Sequence, residues 1–294
     1  RDVAPSRGLG DVYKRQTDTN SGMTLEQAEN LGVTIIPMPF YINGELYFEG
    51  VNLDADGFYK HLADNSEVNT SQPAPGDVMR IWDELLKEKE EIIYIPMSSS
   101  LSGSCQTAEV LSQDYDNKVH VVDNRRISVT QLQSVKDAVN FAKKGMSGEE
   151  IKKILEDRQY QSSIYVTPDD LDYLKKGGRI TPAVASVAKV LNIKPVLEIQ
   201  GKKLDVFKKV RGMKQARRIM KQAIRNDLEN RFSDIDTMKI YAAYTSNIEL
   251  GKLWKSELEE EFPGYEIELY PLSLSVSCHI GPESLGIGCV EEIR

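Results

Sequence analysis

The chain has 294 residues, 40% of them hydrophobic and 28% charged, and a formal net charge of −8. That balance excludes a disordered chain, leaves ample core for one large or two ordinary domains, and argues against wholesale nucleic-acid binding. Cys105, Cys278 and Cys289 form no CxxC pair, and no apolar run approaches the length of a membrane span. A cytoplasmic protein without a disulfide framework is therefore expected.

The first sixteen residues, RDVAPSRGLGDVYKRQ, have no hydrophobic period. Their last six, DVYKRQ, resemble a translated sequencing-library adapter. Residues 1–16 are read as a non-native segment and set apart from fold reasoning, with the native first strand expected to be lost upstream of Thr17.

From there, VTIIPMPFYI (33–42), EIIYIP (91–96) and VHVVD (119–123) read as strands. Residues 55–64, 76–90 and 128–145 carry helical spacing, with Val78, Ile81, Trp82, Leu85 and Leu86 on one face. Strand and helix in alternation predict an N-terminal α/β domain over residues 17–160, built on a mostly parallel, Rossmann-like sheet. Residues 161–294 read as an α+β domain with a mixed or antiparallel sheet. Its strands are SSIYV (162–166), KPVLEI (194–199), KIYAAYT (239–245) and YEIELYPL (265–272), and GKKLDVFKKV (201–210) alternates like an edge hairpin partner. A basic helix from Met213 to about Arg231 and another from Ile248 to Phe262 complete the domain.

Three polar turns follow or flank these elements. SSSLSGSC (98–105) succeeds a strand and opens a helix, at the end of a parallel sheet where ligands sit. Free backbone N–H groups at a helix start favour an anion, and serine hydroxyls add neutral donors. NTSQPAPGD (69–77) also precedes a helix, and SCHIGPESLG (277–286) offers His279 beside a Gly-Pro turn. Together they make a site for one carboxylate; singly, each reads equally well as an N-cap or a structural histidine. A nucleophilic use of the serines lacks the GxSxG elbow, phosphate chemistry lacks both GxxxxGK[ST] and GxGxxG, and His61, His120 and His279 have no metal-ligand spacing. No cofactor or metal is expected.

From Lys202 to Arg225, ten Lys or Arg stand against one acid, so that stretch carries about +9 on an acidic protein. It reads as a docking surface or as a solvated face.

NTSQPAPGDV, PMSSSLSGSCQTA, DLDYLKKGGRIT, the spacing of 191–204, KVRGMKQA and HIGPESLG, in that order, resemble the DegV family of bacterial fatty-acid-binding proteins from Thr17 onward. The resemblance implies a lipid carrier rather than an enzyme, with a long-chain fatty acid as ligand. Some members hand that lipid to a fatty acid kinase, a step toward phospholipid synthesis. It places the carboxylate on Thr70 of TSQP and Ser102 of LSG, with Ser71, Ser98, Ser99 and Gly103 in the same turns. His279 and Arg179 of KGGRI stand near the head group. Arg211 matches an arginine associated with the kinase partner, with Lys208 and Lys214 beside it. Transient membrane contact fits a carrier. Met38, Phe40 and Tyr41 are candidates for the tail pocket or for plain core. Cys105 departs from the family pattern, standing where a bulky ring is usual. Two other readings compete: a serine hydrolase or acyltransferase on lipid esters with Ser102 attacking and His279 as base, and a ligand-sensing regulator using the basic patch.

Overall fold

A computed structural model describes residues 13–177 and 193–294. Its strands are β1 (Tyr13–Asp18), β2 (Val33–Ile36), β3 (Pro39–Ile42), β4 (Glu45–Phe48), β5 (Val68–Thr70), β6 (Glu91–Ile95), β7 (Val119–Val121), β8 (Ser162–Thr167), β9 (Ile193–Ile199), β10 (Asp205–Arg211), β11 (Met238–Tyr244), β12 (Ile267–Pro271) and β13 (Leu285–Glu291). β2-β1-β6-β7 form a parallel sheet, β4-β3-β5 a small antiparallel one, and β10-β9-β8-β13-β11-β12 a mixed sheet of six. Only the pairing of β11 with β12 is parallel in the last. A parallel α/β half followed by an α+β half agrees with the expectation from the alternating pattern.

A strand stands at this position, and its first four residues, Tyr13–Gln16, belong to the segment set apart from fold reasoning. β1 lies between β2 and β6, with Thr17 opposite both Ile35 and Ile95. A parallel ladder is made by backbone groups and accepts the polar sequence YKRQTD once its side chains find partners. Gln16, fully buried, accepts the Trp82 Nε1–H at 2.7 Å, and Thr17 Oγ1 donates to Ile95 O at 2.8 Å. The run 33–42 is corrected: it is two strands in two sheets, split at Pro37 and Met38, because Pro37 has no N–H for a continuous ladder.

The helix Ser128–Lys143 joins the halves. It packs on β1 and β6 of the parallel sheet and on β8 and β13 of the mixed sheet, and nearly every residue in it is buried. Val129, Leu132 and Val135 share one core with Ile93 and Ile95 on one side and Val166, Leu197 and Val290 on the other. β13, which no strand signal marked, is closely approached because Gly288 carries no Cβ; one there would come within 2.7 Å of Val129 Cγ2. The helices Pro75–Leu85 and Ser104–Ser112 cover the opposite face of the parallel sheet through Trp82, Cys105 and Ala108. Cys105 is thus a small core residue against Ile92 and Tyr94, and burial pushes its thiol pKa well up. The basic helix, Met213–Asn226, and the helix Ile248–Glu261 cover the outer face of the mixed sheet.

Asp137 on the joining helix accepts Gln133 Nε2–H at 2.6 Å; burial pushes its carboxyl up to about 7, with the nearby Arg126 guanidinium pulling it down. Burial also raises the Asp18 carboxyl. An unfolded aspartate ionises near 3.8, so across the interval up to about 7 the folded chain holds a proton that the unfolded chain has lost. Stability therefore falls as pH rises through that interval, by at most about 4 kcal/mol for Asp137. The urea midpoint is expected to be higher at pH 5 than at pH 8, and Asp137→Asn should shrink the difference. An unchanged pH dependence in the variant would contradict this assignment.

Candidate functional site

Between the two large sheets lies a cavity of about 1020 Å³, its mouth included. Its walls are apolar: Ile164 and Val166 alternate inward from β8, Ile199 comes from β9, Ala243 from β11, and Leu272 follows β12. Gly286 and Gly288 share one face of β13 and both line the cavity, so the room is made by small residues where larger ones would fill the core. Among the described residues, every polar side chain in the wall is neutral or an imidazole: Asn20, Thr70, Ser71, Gln72, Ser102, Ser128, Ser275 and His279. No Asp, Glu, Lys or Arg lines it among the described residues.

Three segments bring the polar end together. Thr70 ends β5, opposite Phe40, and Ser71 N–H donates to Pro39 O at 3.1 Å. The helix Pro75–Leu85 then starts with a proline in its first turn, where no N–H is needed. His279 lies on the helix Leu274–Ile280 rather than in a polar turn; half of the expected turn is helical because Ser273 caps it, accepting Val276 N–H at 3.3 Å. The helix stops at Gly281, whose φ of +81° suits glycine and whose missing Cβ leaves space for the Tyr173 ring. Thr70 Oγ1 and His279 Nε2 meet at 3.2 Å across 209 residues of chain.

The serine turn supplies the third piece and is held by hydrogen bonds within itself and to its neighbours. Ser98 N–H donates to Arg126 O at 2.9 Å, Ser98 Oγ accepts Ser100 N–H at 3.1 Å, and Ser98 O accepts the N–H groups of Leu101 and Ser102. Ser99 N–H donates to Asp123 Oδ1 at 3.2 Å, and Ser100 Oγ–H donates to Gly201 O at 3.3 Å. Ser102 Oγ accepts Ser104 N–H at 3.2 Å at the start of the helix Ser104–Ser112, and among the described residues its own proton has no acceptor. Gln72 Oε1 accepts Thr107 Oγ1–H at 3.3 Å, tying the two turns together.

Of the residues singled out by sequence, Thr70, Ser71, Ser102 and His279 line one cavity. Ser98, Ser99 and Gly103 shape the turn without lining it, and Arg179 lies outside the described residues. Met38 lines the cavity, whereas Phe40 packs on Phe58 in a separate core and Tyr41 is 43% exposed. Ser102 and His279 share no hydrogen bond, so the couple required by the hydrolase reading is not formed. Ser275 and Gly288 went unmarked in the sequence, and Asn20 was not singled out as a site residue; Gln72 stands in the TSQP motif and Gly286 in the HIGPESLG turn, and the Gly-x-Gly of β13 was the signal available for Gly288. His61 and His120 are engaged elsewhere, with Ser66 and Glu91. No group of residues able to hold a metal occurs among the described residues, and no described helix is long and apolar enough to cross a membrane.

The basic stretch divides in two. Arg217 pairs with Glu257 at 2.8 Å, Lys221 with Glu261 at 3.3 Å, and Arg225 also with Glu261. Lys208, Arg211 and Lys214 are exposed and form no ion pair with a described residue. Arg211 ends the edge strand β10, its N–H donating to Gln215 Oε1 at 2.9 Å.

Residues 16–292 match the family model described as "Uncharacterised protein, DegV family". A DegV domain-containing protein of Listeria innocua is 29% identical over 276 residues, covering 92% of this chain and 95% of that one. Among solved structures, a fatty-acid-binding DegV family protein from Thermus thermophilus superposes with a TM-score of 0.86 at 26% identity, over 95% of this chain and 99% of that one. DegV of Bacillus subtilis, a fatty acid binding protein, gives 0.84 at 26% identity over the same shares.

Proposed function

The chain belongs to the DegV family, and we propose that it is a non-catalytic carrier. It binds a long-chain fatty acid in the cavity between the sheets and presents it to a fatty acid kinase. The observation that carries this is the Thr70–His279 contact at the half-buried end of an otherwise apolar cavity. The fatty-acid binding of the Thermus thermophilus and Bacillus subtilis proteins supports it.

The energetics divide between tail and head. Burying about 14 methylenes gives on the order of 11 kcal/mol gross at roughly 0.8 kcal/mol each. The head group then needs orientation more than affinity. Thr70, Ser102 and His279 donate to the carboxylate, Ser71 stands beside Thr70, and Ser98, Ser99 and Gly103 hold the turn that aims Ser102. Arg179 joins them from the KGGRI motif. Neutral hydroxyls suit an exchanging ligand, since no buried charge is stranded when it leaves. The two units, 17–160 and 161–294, meet at the cavity, so exchange needs only a small separation there.

The kinase performs the phosphoryl transfer, and this chain supplies an accessible carboxylate. Arg211, Lys208 and Lys214 are the partner surface: exposed, and with no ion pair among the described residues, they attract an acidic face and raise the encounter rate. Transient contact with a membrane, where the lipid is collected, uses the same charge. The setting is cytoplasmic.

Thr70→Ala combined with Ser102→Ala should weaken fatty acid retention on the order of 100-fold or more, two lost hydrogen bonds to a charged group at roughly 1.5 kcal/mol or more each. Retention measured by native mass spectrometry that stays at the wild-type level would show the carboxylate lies elsewhere. Arg211→Glu should leave lipid binding intact and slow turnover by the kinase about tenfold or more, mostly through association. Unchanged turnover would remove Arg211 from the partner surface.

A further inference from the structure

The two glycines of β13 are glycines for different reasons. Both stand inside a strand paired on each side, by β8 and by β11, where glycine weakens the ladder. Neither takes a positive φ. A Cβ at Gly288 would come within 2.7 Å of Val129 Cγ2, so the joining helix requires that glycine. Gly286 has no such neighbour. A Cβ there would lie 3.5 Å from Ala243 Cβ, 3.6 Å from Tyr165 O and 3.8 Å from Val166 Cγ2, ordinary contacts that all belong to the same sheet. Its carbonyl accepts Trp254 Nε1–H at 2.7 Å, a bond that any residue could make.

The cavity meets β13 as bare backbone at this point. Ile287 borders the cavity although its side chain packs in the core on the outer face of the sheet, so what it shows the cavity is main chain. Val166 and Ala243 stand opposite Gly286 in register and line the cavity with it. Among the described residues, the six-stranded sheet lends the cavity only apolar side chains, and every polar one comes from outside that sheet. A core packed to ordinary density would place a side chain over Gly286. We propose that Gly286 is a specificity-determining residue: the space its side chain would fill is the seat of tail methylenes, which makes the cavity select long acyl chains over short ones. The inference rests on the fatty-acid reading. On that reading the head group is held by Thr70, Ser102 and His279, all outside the sheet, so a short chain ends before residue 286 and a long one lies across it. Each methylene laid against the wall there is worth about fourfold in affinity.

The test measures the affinity of the delipidated full chain for octanoic and hexadecanoic acids, with the melting temperature of the empty chain. In Gly286→Val, hexadecanoic acid should bind on the order of tenfold more weakly, with octanoic acid within about twofold of wild type. In Gly286→Ala the loss for hexadecanoic acid should be about fourfold. The empty Gly286→Ala chain should nevertheless melt about 1–2 °C higher, because alanine fits the folded strand and restricts the unfolded chain. Opposite signs in binding and stability separate a glycine kept for a ligand from one kept for the fold. A lower melting temperature of empty Gly286→Ala would return this glycine to the fold. A loss as large for octanoic acid, or no loss for hexadecanoic acid, would overturn the selection by length. If Gly286→Val does not fold, Gly286→Ala carries every one of these readouts. Binding of hexadecanoic acid by wild type in those cases leaves the fatty-acid reading standing, whereas its failure to bind overturns that reading and this inference together.

Discussion

The buried Asp18 carboxylate holds the cavity's polar end in place. It accepts Met97 N–H at 2.8 Å, Asn20 N–H at 3.0 Å and Gln131 Nε2–H at 3.0 Å. Those three groups belong to the entry of the serine turn, the turn after β1, and the helix that joins the two sheets. Gln131 also donates to Thr17 Oγ1 and Ile95 O at 3.0 Å each, so one amide couples the ends of two parallel strands to the helix. Burial raises the Asp18 carboxyl while these donors pull it down. A carboxylate so surrounded is worth keeping only if every donor stays in place. The position of Ser102, reached through the Ser98 turn, follows from it.

The cavity itself is a product of what the chain omits. Gly286, Gly288 and Ala243 stand where the mixed sheet faces the joining helix, and larger residues there would close the space. Elsewhere on the same sheet the outer face is filled by Trp254, Met220 and Ile224 in the ordinary way. One face of one sheet is thus a packed core and the other the wall of a pocket. The serine cluster shows the same economy. Ser98 Oγ accepts Ser100 N–H, Ser99 N–H is held by Asp123, Ser100 Oγ–H donates to Gly201 O, and Ser102, which accepts Ser104 N–H, is the serine of the four that lines the cavity.

Much of this was legible in the sequence where period and punctuation agree. The strands at 91–96 and 239–245 and the helix at 128–145 are strongly periodic, and each is found. The TSQP, LSG and HIGP motifs named Thr70, Ser102 and His279, which the fold brings to one cavity. What escaped is explained by physics that acts across the chain. β13 reads as LGIGCVE, where two glycines erase the strand signal because they serve a helix contact and a cavity. β1 begins inside the segment set apart for its resemblance to a library adapter, and its Gln16 and Thr17 find partners in Trp82 and Ile95, 66 and 78 residues away. Ser275 carries no local motif; only folding sets it against Asn20. The basic stretch was countable, but which of its charges are neutralised depended on the helix Ile248–Glu261 lying alongside.

The central claim is that the cavity between the sheets holds a fatty acid. The most direct measurement is native mass spectrometry of the chain purified from a bacterial host without detergent, with extraction and identification of whatever is released on denaturation. The account predicts one long-chain fatty acid per chain, freed when the protein unfolds. A well-folded chain carrying no lipid, and taking up none when long-chain fatty acid is added, would contradict it.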